Sequence, residues 1–123
     1  MSRQRAKGTR WESKIIDYLR GNGFPHAERR ALNGTHDLGD ITGIPGVVIE
    51  AKDQARHSFA EWLDEATAEA ANDKADVGVV WAHRRGQGSP GAAYVVMTGQ
   101  QLVWLLREAG YGTPNTPTGD TAP

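Results

Sequence analysis

Asp40, Glu50 and Lys52 are the residues of this 123-residue chain whose types and spacing point most directly to chemistry. Glu50 and Lys52 interrupt the otherwise apolar stretch VVIEAK at residues 47–52. Two residues apart on an extended strand, they point to the same side as Val48, while Val47, Ile49 and Ala51 point to the other. Upstream, Gly39-Asp40-Ile41 opens a second short extended stretch, and Ile44-Pro45-Gly46 reads as a turn between the two. If the strands pair, Asp40 and Glu50 converge within reach of one cation. A carboxylate withdrawn from water needs a partner or a metal. Two carboxylates, the backbone carbonyl of Ala51 and waters make an all-oxygen donor set, which suits Mg²⁺, with Mn²⁺ as a substitute, rather than Zn²⁺. A cation held there can activate water and polarise a phosphate ester. Lys52 would orient or help deprotonate that water, or stabilise the charge building on the phosphate. The plainer alternative is a Glu–Lys pair on an exposed edge strand. Against it stand the Gly-Asp-Ile segment at hairpin distance and a further carboxylate, Glu12, in a basic setting.

The elements that would position these groups follow from periodicity. Trp11, Ile15, Ile16 and Leu19 form one apolar stripe and predict a helix starting near Thr9. Thr9 would be its N-cap, with Glu12 completing a capping box, and Gly21 and Gly23 would stop it. Residues 24–32 read as a strand, Asn33-Gly34 as a tight turn, and residues 40–43 and 47–52 as strands. Residues 58–75 predict a helix capped by Ser58, burying Phe59, Trp62, Leu63, Ala66 and Ala70. VGVVWA at 77–82 reads as a strand covered on both faces, residues 92–97 as another, and Thr98 begins a last helix carrying Leu102, Val103, Leu105 and Leu106. The order α-β-β-β-α-β-β-α predicts an α/β fold, a central mixed sheet flanked by helices. Residues 1–8 are expected to be a flexible basic arm, 9–111 one domain and 112–123 a disordered tail.

The chain has no cysteine, which excludes disulfides, thiolate metal sites and a cysteine nucleophile and fits the cytosol. The basic start MSRQRAKGTR leads into no apolar segment, so neither a secretory leader nor a membrane span is expected, and a cytoplasmic location is. Net charge is −1, but it is unevenly spread: residues 1–30 sum to +5 and residues 58–76 to −5. The basic end could face phosphates while the acidic end faces water. Arg3, Arg5, Lys7, Arg10, Arg29 and Arg30 are therefore candidates for DNA contact, although Arg29 and Arg30 alternate across their strand and only one should face a cleft. His36 and Asp37 are better read as a polar loop than as ligands, and His26, His57 and His83 as surface residues. Trp11 fits core packing better than base stacking. Gln54 lies just past the strand, within possible reach of the cleft.

These motifs in this order resemble the PD-(D/E)XK nuclease superfamily, and within it the archaeal-type Holliday junction resolvases and their phage-encoded relatives. Lys7-Gly8 followed by Glu12, Gly23-Phe24, the basic strand Glu28-Arg29-Arg30, the turn Asn33-Gly34, Gly39-Asp40-Ile41 and Glu50-Ala51-Lys52 match the family's pattern over residues 7–82. The resemblance implies a restriction-endonuclease-like core, with Glu12, Asp40 and Glu50 as metal ligands and Lys52 as a catalytic residue. It also implies a homodimer that cuts two strands of branched DNA with Mg²⁺.

Overall fold

A computed structural model describes residues 3–30 and 40–114, without the side chains of residues 3–6 and Asp40. The predicted Asn33-Gly34 turn, His36, Asp37 and most of the predicted tail lie outside the described residues.

The first helix, α1 (Arg3–Gly21), starts six residues before the predicted Thr9 cap. Arg3, Gln4, Arg5, Ala6 and Lys7 carry no apolar rhythm but all have good helix propensity, and propensity here extends the helix beyond the stripe that it buries. Thr9 is consequently internal, and the capping box does not form. The helix ends where predicted, with the Phe24 amide returning to the Leu19 carbonyl (3.0 Å).

Of residues 24–30, the described part of the predicted 24–32 strand, only Glu28–Arg29 form strand β1. Phe24 is exposed and belongs to the turn leaving α1. There follow β2 (Asp40–Ile44), β3 (Val47–Lys52), α2 (Phe59–Asn72), β4 (Val77–Ala82), a short 3₁₀ turn (Pro90–Ala92), β5 (Tyr94–Val96) and α3 (Gly99–Glu108). The strands form one mixed sheet in the order β1-β2-β3-β4-β5. β1, β2 and β3 are antiparallel neighbours, β3 and β4 are parallel across the α2 crossover, and β5 returns antiparallel to β4. The chain is thus α/β, with a five-stranded mixed sheet and three helices among the described residues. None of these helices is long and apolar enough to cross a membrane.

Each face of the sheet has its own helix. On one, Trp11, Ile15, Ile16 and Leu19 of α1 bury Ile41, Ile49, Ala51 and Val79. On the other, Trp62 and Ala66 of α2 pack on Val80 and Ala82. α2 comes so close to β4 that a Cβ on Gly78 would stand 2.2 Å from the Ala66 carbonyl oxygen. α3 is anchored by its one buried residue, Gln101, whose Oε1 accepts from the Gly78 amide at 2.8 Å. Thr98 caps α3 as predicted, its hydroxyl accepting from the Gln101 amide. Ser58 occupies the N-cap of α2 but makes no capping bond with its side chain.

The β2–β3 hairpin holds the feature on which the site rests. Its tight Pro45-Gly46 turn pairs Ile44 with Val47. Carried on without a break, that register would set Asp40 opposite Ala51, on the α1 face. A bulge between Ile41 and Ile44 adds one residue to β2, so Ile41 pairs with Ile49 and Asp40 with Glu50. Ile41 and Ile44 are three apart, yet both pack against the α1 core, as the bulge requires. Gly43 occupies the bulge at φ +93°, and a Cβ there would meet the His26 carbonyl oxygen at 1.8 Å. A side chain is excluded by both backbone conformation and space.

Gly43→Ala is expected to destabilise the fold by about 2 kcal/mol or more. Urea denaturation checks this; a loss within about 0.5 kcal/mol, the size of an ordinary surface substitution, would show that the bulge is not held by this glycine.

Candidate active site

Glu50 lies near the carboxyl end of β3, 8% exposed. Its register partner on β4 is Val80, part of the core beneath α2, so Glu50 and Lys52 point to the α2 side of the sheet. Asp40 stands directly across from Glu50. Residues opposite one another in an antiparallel pair share a face, with Cβ atoms about 5 Å apart. The structure therefore brings together the three positions singled out in the sequence. Among the described residues no group of three or more carboxylate or imidazole side chains is spaced to hold a metal ion, and the side chain of Asp40 is not among those residues. The donor set at this end of the sheet is nonetheless all oxygen: the Glu50 carboxylate, the Asp40 position and the main-chain carbonyl of Ala51. That composition fits a hard divalent cation.

Lys52 is held from two sides. Its Nζ lies 3.3 Å from Glu65 Oε2 on α2 and 4.0 Å from Glu50 Oε2, with the ring of Trp62 5.8 Å away. These contacts fix an ammonium group beside Glu50 at the open end of the strand. Glu65 is the first of a helical i, i+4, i+8 row with Glu69 and Asp73. The other two bind Arg30, just past β1: its guanidinium contacts Glu69 and reaches Asp73 Oδ1 at 2.7 Å. The acidic helix predicted to face water instead turns part of its charge inward, onto the cations of the sheet.

Glu12 is elsewhere. It is buried on α1, 3% exposed, and ion-paired with Arg29, whose β1 position is in register with Ile41 of the α1 core. Arg29 also donates to Ser13 Oγ at 2.6 Å and to the Thr9 carbonyl at 3.2 Å. Glu12 thus sits on the opposite side of the sheet from Glu50. Because the helix continues past Thr9, its carboxylate is directed to a strand arginine rather than to a capping role. Burial raises the pKa of its carboxyl above the usual 4.5, and the Arg29 hydrogen bond and charge only partly offset that rise.

The other expected DNA contacts divide. Arg29 and Arg30 do alternate across the sheet, but each is ion-paired to its covering helix. Arg10 is exposed on α1, and Lys7 lies 3.6 Å from Asp53 at the sheet end. The side chains of Arg3 and Arg5 lie outside those described. Trp11 is core, 2% exposed. Two histidines read as surface are engaged instead: His57 stacks on Phe59, and His83 bonds Asp53. Sequence reasoning missed the Asp53–His83 pair. Its one visible signal is that both residues directly follow parallel neighbours, β3 and β4. Comparison with family models, with curated proteins and with solved structures gives no match.

The raised Glu12 pKa carries a definite sign. The folded chain holds this proton more tightly than the unfolded chain, so Glu12's contribution to stability is present below about pH 4 and is lost as pH rises through its folded pKa. Glu12→Gln removes that loss. The stability of the variant relative to the parent should therefore rise between about pH 4 and pH 7, read from denaturant midpoints. A difference independent of pH would rule out burial of this carboxyl as the source.

Proposed function

We propose that this chain is a divalent-cation-dependent DNA endonuclease built on a PD-(D/E)XK-type core, with a four-way junction as substrate. The observation that carries the reading is the pairing of Asp40 with Glu50, with Lys52 two residues further on the same face. The element order supports it as well: a helix, an antiparallel β1-β2-β3 meander, and a crossover helix leading to a parallel β4.

In this reading Asp40, Glu50 and the Ala51 carbonyl would hold Mg²⁺, or Mn²⁺ in its place, and the ion would supply an activated water and polarise the scissile phosphate. Glu50 and Asp40 contribute the negative charge that selects a divalent cation. Lys52, fixed by Glu65 and Trp62, donates to the attacking water or to the phosphate oxygen on which charge builds. Glu12 and Arg29 clamp α1 to β1 and so support the strand that precedes Asp40 in the chain. Lys7 and Arg10, with Arg3 and Arg5 on the same helix, supply phosphate contacts.

Asp40→Asn and Glu50→Gln should abolish Mg²⁺-dependent cleavage while leaving DNA binding within a few-fold of the parent. Lys52→Gln should slow cleavage by about 10²–10⁴-fold. Incubation with a four-way junction and a sequence-matched linear duplex, with and without Mg²⁺, tests the whole reading. Paired symmetric cuts confined to the junction support it. Equal cutting of both substrates would retain the nuclease and remove the junction. No cutting and no Mg²⁺ binding would remove the enzyme.

Two opposed cuts call for two active sites, and a two-fold homodimer supplies them. α3 leaves Leu102, Val103 and Leu106 exposed by 46%, 50% and 41%. We place the second copy on this face. The double substitution Leu102→Glu, Leu106→Glu should yield a monomer by sedimentation and uncouple the two incisions. A parent that is monomeric at working concentrations would exclude this interface.

A further inference from the structure

The strands that carry the candidate site continue past it, and alternation sends the next residues to the other face. Asp53 follows Lys52, and His83 follows Ala82, the register partner of Lys52. The His83 amide donates to the Lys52 carbonyl at 2.9 Å, extending the parallel ladder by one step. On the α1 side of this end, His83 Nδ1 lies 2.9 Å from Asp53 Oδ1. The imidazole stacks on Trp11, with ring centroids 4.5 Å apart and planes inclined by 23°. Trp11 is itself held by its indole N–H, which donates to the Trp81 carbonyl at 3.1 Å. Asp53 is 8% exposed at its side chain and also receives Lys7 Nζ at 3.6 Å.

This assembly borders a cavity of about 300 Å³, lined by Lys7, Asp53, Gln54, His57, His83 and Arg85. The charged groups of this lining are Lys7 from α1, Asp53 after β3 and Arg85 after β4, with His57 and His83 beside them. With both imidazoles neutral the lining carries one excess positive charge. The Asp53 carboxylate can only accept, so it fixes the proton on Nδ1.

We propose that this cavity is a second phosphate subsite, taking the phosphodiester next to the one cut at Glu50 and Lys52. Lys7 and Arg85 contact its oxygens, and His83, held by Asp53 and Trp11, forms part of its wall. The proposal rests on the nuclease reading for its substrate, but its chemistry is independent of cleavage. A DNA strand is the occupant because the cavity opens at the strand end that carries Lys52, and because one phosphodiester charge matches the excess of the lining.

The test is equilibrium binding of a fluorescent single-stranded oligonucleotide to the full chain in EDTA, over a range of salt. Lys7→Gln and Arg85→Gln, both surface changes, should each weaken binding about tenfold and reduce the magnitude of the salt slope by about one contact. Melting curves confirm that each variant is folded. Parental affinity and salt slope in Lys7→Gln and Arg85→Gln, or no binding by the parent at low salt, overturns the subsite. Junction cleavage with Mg²⁺ on the same samples separates the two ideas. A parent that cuts, with variants that bind like it, loses the subsite and keeps the nuclease. Weakened variants of a parent that does not cut keep the subsite and lose the nuclease.

Discussion

Asp40 faces Glu50 because β2 carries one more residue than β3 between their shared turn and the site. Side chains on a strand alternate, so a slip of one residue exchanges the faces of everything beyond it. The Pro45-Gly46 turn taken alone would send Asp40 to the α1 side, opposite Ala51 and away from Glu50. The bulge at Gly43 reverses that outcome. It is made possible by the absence of a side chain where the His26 carbonyl closes on the strand. The chemistry proposed for this protein depends on that one insertion more than on any hydrogen bond within the site.

A second organising principle is the use of β1 arginines to tie each helix to the sheet. Arg29 reaches Glu12 and Ser13 on α1, and Arg30 reaches Glu69 on α2 and Asp73 at its C-cap. Together with the Lys52–Glu65 contact, these pairs set several cations of the sheet against carboxylates of the two helices. Lys7 and Arg85 line the cavity at the open end of the sheet, where net charge does not describe the local field.

Alternation also explains why one strand end can serve two purposes. Glu50 and Lys52 look toward α2, while Asp53, a single residue further, looks toward α1 beside His83 and Trp11. The parallel β3–β4 pair keeps the two sides in fixed relation, because backbone hydrogen bonds continue through Lys52 to His83. Open α/β sheets place their ligand sites beyond the carboxyl ends of parallel strands, and both groups lie there.

Periodicity was enough to reveal the apolar stripe of α1, the central strands β3 and β4, the crossover helix and the Thr98 cap, because each is a local pattern of burial or hydrogen bonding. The facing of Glu50 and Lys52 was legible for the same reason, since alternation along one strand is a local property. Helix α1 was read too short because polar residues of high propensity leave no burial signature, and β1 too long because extended character does not by itself secure a partner strand. The bulge, the Arg29 and Arg30 pairings, the placing of Glu12 away from Glu50 and the Asp53–His83 pair depend on contacts between distant segments. Residue types and spacing set which groups could do chemistry. The register between β2 and β3 and the choice of helix for each face decided which of them meet, because those outcomes are fixed by packing across the sheet and not by neighbours along the chain.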